Sequence, residues 1–403
     1  MRTIVVCAFL LFFSLLSACR REEVILYSQQ ERVDVASDPD SPVVGFYVLN
    51  SGVKGSNEAT LDYFDYTESV YHRNIYAERN TSELPNLGDY GLDIAVAAGK
   101  LYVTLCGSHR LEIFDAFTTQ RQGTIEINNP RRILIHGDYV YVTSYLRQKK
   151  PSLGRLPLGE LVRVKTTDIS DIRRISLGFQ PDNMVLRTVY SKKDNLIVDS
   201  LQSLLIANTG EYNSPKFDNR ISVVNLDKFV QTGFIRTGTS PHSITLSGGN
   251  GRYLYVATHG NQKGELPKLH ILEDKTQGGL NFFEEEDGRV KDIPIRFFSH
   301  CTDTLFMIQG AENAFGEVSK RDFVKYGLKA DDIVERFVTD GTEAQIENPT
   351  SVAVHPVTHE IFITDARRGT SSGFLYCYSP HGRQLWKVKT GIVPCKIAFV
   401  YKQ

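Results

Sequence analysis

The sequence predicts an all-β chain of repeated four-stranded units. One apolar phrase recurs as "LYVT" from residue 101, "VYVT" from 140, "LYVA" from 254 and "IFIT" from 361. A second recurring segment, which runs from a turn into a strand, begins five times with a proline: Pro130, Pro181, Pro241, Pro349 and Pro394. Four strands in each repeat of roughly 45 to 60 residues are typical of β-propeller blades. These observations predict a β-propeller.

The number of units predicts seven blades. Full units begin near residues 90, 129, 180, 240, 297 and 348, and in the unit at 297 His300 stands where proline would be. "VVGFYVLNSG" from 43 opens a blade without a first strand, whereas "VPCKIAFVY" from 393 is a first strand without a blade. Joining the two closes the ring and removes an exposed sheet edge. Two separate β-sandwiches are the alternative, but they leave the C-terminal strand unpartnered.

The N-terminal segment has the pattern of a targeting signal. "MRTIVVCAFLLFFSLLSAC" combines Arg2 with a short apolar run and small residues before Cys19, as in secretory signals. "LSAC" resembles the lipobox of bacterial lipoproteins, which implies cleavage before Cys19 and its lipidation; an ordinary signal peptide is the alternative. "RREE" resembles a surface-export signal of some Gram-negative lipoproteins, with Arg21 in place of lysine. We predict a signal peptide over 1–18, a flexible tether over 19–42 and a propeller over 43–403.

Composition and motifs argue against several classes of function. The net charge of -1 gives no basic excess for binding nucleic acid. Cys106, Cys301, Cys377 and Cys395 have no metal-type spacing, and we expect mostly buried, unpaired thiols. "GTSSG" matches a hydrolase motif around Ser371 only in letters, since that motif needs a strand-to-helix elbow. The sequence therefore predicts neither an enzyme nor a bound cofactor.

The loops that follow the second strands are the predicted binding surface. In a propeller these loops gather on one face, which we call the loop face, and rigid strands position them for binding. The predicted stacking groups are Tyr90, Tyr145, Tyr212 and Phe217. The predicted hydrogen-bonding groups are Arg110, Arg147, Asn208, Asn261 and Arg367. An imidazole cluster near the channel is expected from His109, His242, His259 and His300, with metal ligation as the less favoured alternative.

The repeats resemble propellers of the YVTN type over most of residues 43–403. Residues 338–400 and "GFYVLNSGVKGSNEATLDYFD" from 45 are further similar to surface lipoproteins that capture cobalamin for an outer-membrane corrinoid transporter. This resemblance implies capture of a corrinoid such as vitamin B12, without turnover, and its transfer to a transporter in the outer membrane. The alternatives are a propeller that binds glycan or protein, and a hydrolase or lyase that uses the channel histidines.

Overall fold

The chain folds into seven β-sheets arranged as the blades of a ring. The computed structural model describes residues 27–35, 38–146, 158–193, 196–211, 217–247, 251–261, 264–274, 289–310 and 321–402. Six blades have four antiparallel strands, and the first has five in the order β1-β4-β3-β2-β29. The prediction of a seven-bladed propeller closed by its C-terminal strand is confirmed.

The strands follow the chain blade by blade. Blade 1 contains β1 (Gln29–Arg32), β2 (Val43–Asn50), β3 (Thr60–Asp65), β4 (Val70–Arg73) and, from the C-terminus, β29 (Pro394–Tyr401). Blades 2 and 3 contain β5 (Gly91–Ala97), β6 (Lys100–Leu105), β7 (Arg110–Asp115), β8 (Arg121–Glu126), β9 (Pro130–His136), β10 (Tyr139–Ser144), β11 (Glu160–Lys165) and β12 (Ile172–Ser176). Blade 4 contains β13 (Pro181–Lys193), β14 (Leu196–Asn208), β15 (Arg220–Asn225) and β16 (Val230–Arg236).

The last three blades have the same strand order. They contain β17 (Pro241–Leu246), β18 (Tyr253–Thr258), β19 (Lys268–Glu273), β20 (Arg289–Lys291), β21 (Ile295–Cys301), β22 (Thr304–Gln309), β23 (Phe323–Gly327), β24 (Asp332–Arg336), β25 (Pro349–Val354), β26 (Ile361–Asp365), β27 (Ser372–Tyr378) and β28 (Gln384–Ile392). The described helices are α1 (Ile75–Arg79) and a 3-10 turn (Thr342–Gln345). None of the described helices is long and apolar enough to cross a membrane.

The core is divided among the interfaces between blades. Seven clusters of buried apolar side chains occupy the seven interfaces, one to each pair of neighbouring blades. In β6, Leu101 and Val103 pack toward blade 1, whereas Tyr102 packs toward blade 3. Successive side chains of a strand point to opposite faces, so a second strand covered on both faces must be apolar along its length. This explains why the phrase around Tyr-Val-Thr recurs.

Two features of the fold differ from the sequence prediction. β1 lies within the stretch predicted as tether, where it pairs with β4 from Gln29↔Arg73 to Arg32↔Val70. The ordered sheet thus starts earlier in the chain than expected. The inner strand of blade 6 begins at Ile295, which pairs with Gln309 as Pro241 pairs with Thr258. The sequence placed this strand start two residues later, and the proline position at His300.

Glycines allow close approach where one blade passes into the next. A Cβ on Gly178 would lie 2.5 Å from Cγ of Asn208. Asn208 is fully buried and its Nδ2 donates to the Arg220 carbonyl (2.9 Å) and to Oγ of Ser222 (3.0 Å). Gly391 holds the matching position before β29 and would place a Cβ 2.7 Å from Cγ of Asn50. Side chains at the ends of the second strands therefore need glycine opposite them.

Gly178→Ala should destabilise the fold by about 1–3 kcal/mol, because the added methyl group overpacks a buried, hydrogen-bonded side chain. The free energy of unfolding measured in urea, followed by fluorescence of Trp386, tests this. Gly123→Ala in β8 is the matched control, since its Cβ would meet only the tip of the Ile169 side chain at 3.0 Å. Equal stability of the two variants would contradict the conclusion that Asn208 needs glycine opposite it.

Candidate functional site

A β-bulge marks the start of every inner strand. The pairing of each first strand with its second strand shifts register within the first few residues, at the end nearest the loop face. We call the residues within these shifts the channel-mouth ring: Leu92, Arg131, Arg132, Asp182, Asn183, His242, Arg296, Thr350 and Cys395. Since consecutive inner strands contact each other around the whole circle, these residues meet at one end of the central channel.

A buried carboxylate holds two arginines of the ring. Asp182 is 4% exposed; its Oδ2 lies 2.9 Å from Arg131 NH2 and its Oδ1 2.5 Å from Arg132 Nε. Burial alone would raise the pKa of Asp182, but the two guanidinium groups hold it well below its ordinary value. Arg132 also donates to the Leu92 carbonyl at 3.0 Å. Glu211 also lies 3.8 Å from Arg131 NH2, so the network connects blades 2, 3 and 4 and contains two arginines and two acids, with no net charge.

Aromatic rings border this network. The Arg131 guanidinium lies 4.4 Å from the ring centroid of Tyr145, a distance at which the cation and the ring attract each other. Tyr145 is 5% exposed, and burial raises the pKa of its hydroxyl while Arg131 opposes the rise. Tyr90 is half-buried nearby and Lys54 lies 5.7 Å from its ring centroid. Tyr145 is thus a buried support for Arg131, whereas Tyr90 is partly open to a ligand.

Two histidines stack at the mouth in blade 5. The imidazole rings of His242 and His259 lie 3.8 Å apart and nearly parallel, at 17°. His242 is buried, with Nδ1 3.0 Å from Oγ of Ser243, whereas His259 is exposed. Desolvation lowers the pKa of both imidazoles, and repulsion from His259 lowers that of His242 further. Both rings are therefore neutral near pH 7, and each can donate one hydrogen bond and accept another.

Other predicted residues lie on the loop face but farther from the ring. Arg110 pairs with the buried Glu112 at 2.6 Å, and Asn208 is enclosed within blade 4. Asn261 accepts a hydrogen bond from the Glu265 amide at 3.1 Å within its own loop. Arg367 is half-buried on the rim of blade 7, and Phe217 is half-buried beside the blade 4 loop. These contacts assign Arg110 and Asn208 to the scaffold.

The remaining predicted residues are not part of the channel-mouth ring. His300 lies at the far end of β21, where Nδ1 is 3.0 Å from Oγ1 of Thr245 and Nε2 is 2.7 Å from the Thr302 carbonyl. It is on the face opposite the loops, not near the loop face as predicted. His109 is on the loop face, where Nδ1 accepts from the Asn129 amide at 3.1 Å. Arg147, Tyr212 and Cys19 lie outside the described residues.

Thiols and metal ligands do not converge in the part of the chain that the structure describes. Cys106, Cys301, Cys377 and Cys395 are free; Cys106 and Cys377 are buried and the other two are half-buried. The expected unpaired thiols are thus confirmed. Among the described residues no group of three or more His, Cys, Asp or Glu side chains is placed to hold a metal ion. The described chemistry at the mouth is hydrogen bonding, charge and ring contact.

The sequence interpretation missed the residues directly after the strand-starting prolines. "NPRRI" and "QPDNM" contain Arg131, Arg132, Asp182 and Asn183, none of which was predicted. His242 holds the equivalent place in "SPHSI" and was predicted, but only as a member of the imidazole cluster. A signal for these residues is present in the sequence. The proline-containing turn is the same in several blades, whereas the residues directly after it differ and include charged ones. A bulge re-aims the side chains at the start of an inner strand, and here it brings Arg131, Arg132 and Asp182 into contact with one another.

Comparisons with known proteins agree on the fold. No protein-family model and no curated protein sequence matches the chain. It is similar to a functionally unknown protein from Desulfotomaculum acetoxidans, with a TM-score of 0.51 and 14% identity over 89% of this chain and 99% of that chain. It is also similar to apo AztD from Citrobacter koseri, with a TM-score of 0.50 and 9% identity over 89% and 98% of the respective chains.

A third similar structure is a quinonprotein alcohol dehydrogenase-like protein from Bacteroides thetaiotaomicron. Its TM-score is 0.50, with 15% identity over 89% of this chain and 78% of that chain. At such identities the likeness concerns the fold alone, and the names cover different functions. The chain is thus a seven-bladed β-propeller whose channel entrance is polar and bordered by aromatic side chains. It is distantly similar to propellers of varied function.

The neutral histidine His242 should make stability depend on pH. A pKa that is lower in the folded than in the unfolded state means that the unfolded chain binds the proton first as pH falls below about 6.5. This stabilisation is therefore complete above that pH and is lost as pH falls toward the folded pKa, by up to about 1.4 kcal/mol per pH unit. His242→Gln should flatten the decline between pH 7 and pH 5, measured by urea unfolding.

The control for this measurement is His381→Gln, which replaces an exposed histidine in the turn between β27 and β28. Its unfolding free energy should fall with acidification as steeply as that of the unmodified protein. An identical slope for His242→Gln would show that His242 takes up its proton equally in both states, contrary to its buried setting.

Proposed function

We propose that the protein captures a large, amide-rich small molecule at the loop face, most specifically a corrinoid such as vitamin B12. The observation that carries the proposal is the set of bulges that bring polar side chains of successive blades to one channel mouth. A corrinoid is a broad ring fringed with amides, and its recognition needs pre-placed donors and acceptors over a wide surface. The channel-mouth ring and the rings of Tyr90 and His259 offer such groups.

The charge distribution at the mouth supports binding over catalysis. Asp182 is engaged by Arg131 and Arg132, so it is poorly placed to accept a proton from a substrate. The neutral imidazoles of His242 and His259 match amide groups, which also donate at nitrogen and accept at oxygen. His242 has the Ser243 hydroxyl 3.0 Å from its Nδ1, but the Asp182 carboxylate is held by the two arginines and does not orient that imidazole. We therefore favour capture without chemical conversion.

We further propose that the chain is a lipoprotein of the outer membrane, anchored through Cys19 and facing the cell exterior, which transfers its ligand to a transporter in that membrane. The lipobox-like "LSAC" and the following charged residues support the anchor. Several acyl chains on one cysteine would hold the protein at the surface. A transporter partner follows from ligand size, because a corrinoid is too large to enter a cell by simple diffusion.

Cyanocobalamin should bind the full-length protein, purified in detergent, with one-to-one stoichiometry in isothermal titration calorimetry. His259→Ala should weaken this binding at least about tenfold, equivalent to ~1.4 kcal/mol, because it removes an accessible ring and a hydrogen-bonding group at the mouth. Thermal unfolding should change little, since His259 is exposed.

His300→Ala is the matched control, because it removes the same side chain at the opposite end of the propeller. Its affinity for cyanocobalamin should equal that of the unmodified protein. Absence of binding heat, together with absence of retention on a corrinoid resin, would overturn the assignment of the ligand. Equal weakening by both histidine variants would instead move the site away from the loop face.

Cys19→Ala should abolish fatty-acid attachment. Labelling of cells with an alkyne-bearing palmitate, followed by capture of the protein, should mark the unmodified chain and Cys106→Ala but leave Cys19→Ala unmarked. Because Cys106 is buried in the folded propeller, it tests whether labelling is specific for the lipobox cysteine. Label on the Cys19→Ala variant would contradict the proposed anchor.

A further inference from the structure

A cavity opens on the face opposite the channel-mouth ring. Its volume is about 520 Å³, within the roughly 300–1,000 Å³ typical of small-molecule sites. It lies between blades 1 and 2, where the turn from β3 to β4, the helix α1, the turn from β7 to β8 and the chain after β29 meet. A second cavity of about 380 Å³ shares Phe117 and Lys402 with the first. The two lie side by side, and we call them together the cleft.

The walls of the cleft are apolar and aromatic. Ile75 is buried, Val44 and Tyr63 are half-buried, and Phe117 is 41% exposed. The ring of Tyr63 is held in place by Tyr47, whose centroid lies 4.8 Å away. Phe117 lies on an exposed turn of blade 2 and lines both cavities. Such rings favour contact with another flat ring, in stacked or edge-on geometry.

Charges of both signs stand around these walls. Oδ1 of Asp65 accepts from the amides of Thr67 (2.7 Å) and Glu68 (3.2 Å), whereas no described residue pairs with its Oδ2. The carboxylate of Glu68 likewise has no hydrogen-bond or ion-pair partner among the described residues. Both acids belong to the blade 1 wall. A positively charged group of a ligand would therefore find two carboxylates there.

Cations stand at the two ends of the same cavity. Lys402 follows the innermost strand, and its ammonium donates to the Pro39 carbonyl at 2.5 Å. Arg79 ends α1 on the outer side; its NH2 lies 3.3 Å from Glu78 and half of its side chain is exposed. Neither cation forms an ion pair with Asp65 or Glu68. Arg79 is thus paired with Glu78, whereas no described carboxylate pairs with Lys402, and no described cation pairs with Asp65 or Glu68.

We propose that this cleft is a second binding site, for a zwitterion with an aromatic ring such as a short peptide that carries phenylalanine. A purely anionic ligand would face Asp65 and Glu68, and a purely cationic ligand would face Arg79 and Lys402. A molecule with one charge of each sign matches both sets, and its ring has Phe117 and Tyr63 as apolar partners. The site is separate from the loop face and is independent of the function proposed for it.

The test uses the full-length protein and the dipeptide L-phenylalanyl-L-alanine in isothermal titration calorimetry. Saturable one-to-one binding is expected, and Phe117→Ala and Lys402→Ala should each raise the dissociation constant at least about tenfold. Both side chains are exposed, so the melting temperature should stay unchanged. The uncharged analogue N-acetyl-L-phenylalaninamide should bind at least about tenfold more weakly than the dipeptide.

Matched controls are Phe234→Ala in blade 4, where the ring is also 41% exposed, and Lys329→Ala in blade 6, where the side chain is 85% exposed. Neither should affect dipeptide binding. Absence of saturable binding, or affinity unaffected by both cleft variants, would overturn the site. Equal affinity for the dipeptide and its uncharged analogue would overturn the zwitterion as its ligand class.

Two cross-measurements separate this site from the one at the channel mouth. Phe117→Ala should leave cyanocobalamin binding unchanged, and His259→Ala should leave dipeptide binding unchanged. Binding of the dipeptide without binding of a corrinoid would support the site in the cleft. Weakening of corrinoid binding alone by Phe117→Ala would contradict it.

Discussion

The pairing of β2 with β29 closes the circle of seven blades. It runs from Val43↔Tyr401 to Asn50↔Pro394 and supplies the seventh inner strand from the far end of the chain. Without β29, β2 would present an open edge, and the apolar clusters on both sides of blade 1 would lose side chains such as Phe399 and Val400. The closed circle of inner strands also defines the channel. Ring closure is thus a precondition for the channel mouth and, through Lys402, for the cleft on the opposite face.

Within the closed ring, the bulges separate what must repeat from what can vary. A regular residue of an inner strand packs against its neighbours and pairs with the second strand, so its identity is restricted. The additional residue of a bulge has no cross-strand partner, and here the seven bulges contain residues as different as Leu92, Asp182, His242 and Thr350. Contacts between neighbouring bulges then fix their positions, as the Thr350 hydroxyl does by donating to the Pro394 carbonyl. A uniform scaffold can in this way hold a chemically varied site.

The sequence was sufficient to predict the architecture because burial on both faces makes the second strands apolar along their whole length. These apolar strands recur at regular intervals along the sequence, so the repeat can be recognised without the structure. It was insufficient for β1, since Gln29–Arg32 has no apolar pattern and joins the sheet mainly through backbone pairing with β4. Tyr145 was expected as an exposed stacking group, yet tertiary contact with Arg131 buries it. His300 was assigned to the wrong end of its strand because blade 6 begins with Ile295 instead of proline. Local patterns predict strands well, but they do not record which end of a strand a polar side chain reaches.

The two candidate sites differ in how their charges are satisfied, and this difference bears on what each can bind. At the channel mouth, Asp182 neutralises part of the charge of Arg131 and Arg132 within a buried network, and removing one member of such a network usually costs several kcal/mol. These groups therefore fix geometry, and the proposed recognition would depend on neutral groups such as His259 and on the partly open Tyr90. In the opposite cleft, Asp65, Glu68 and Lys402 lie near solvent without pairing to one another, so a charged ligand can engage them without breaking an internal ion pair. Neutral, amide-rich ligands suit the first arrangement, and zwitterions suit the second.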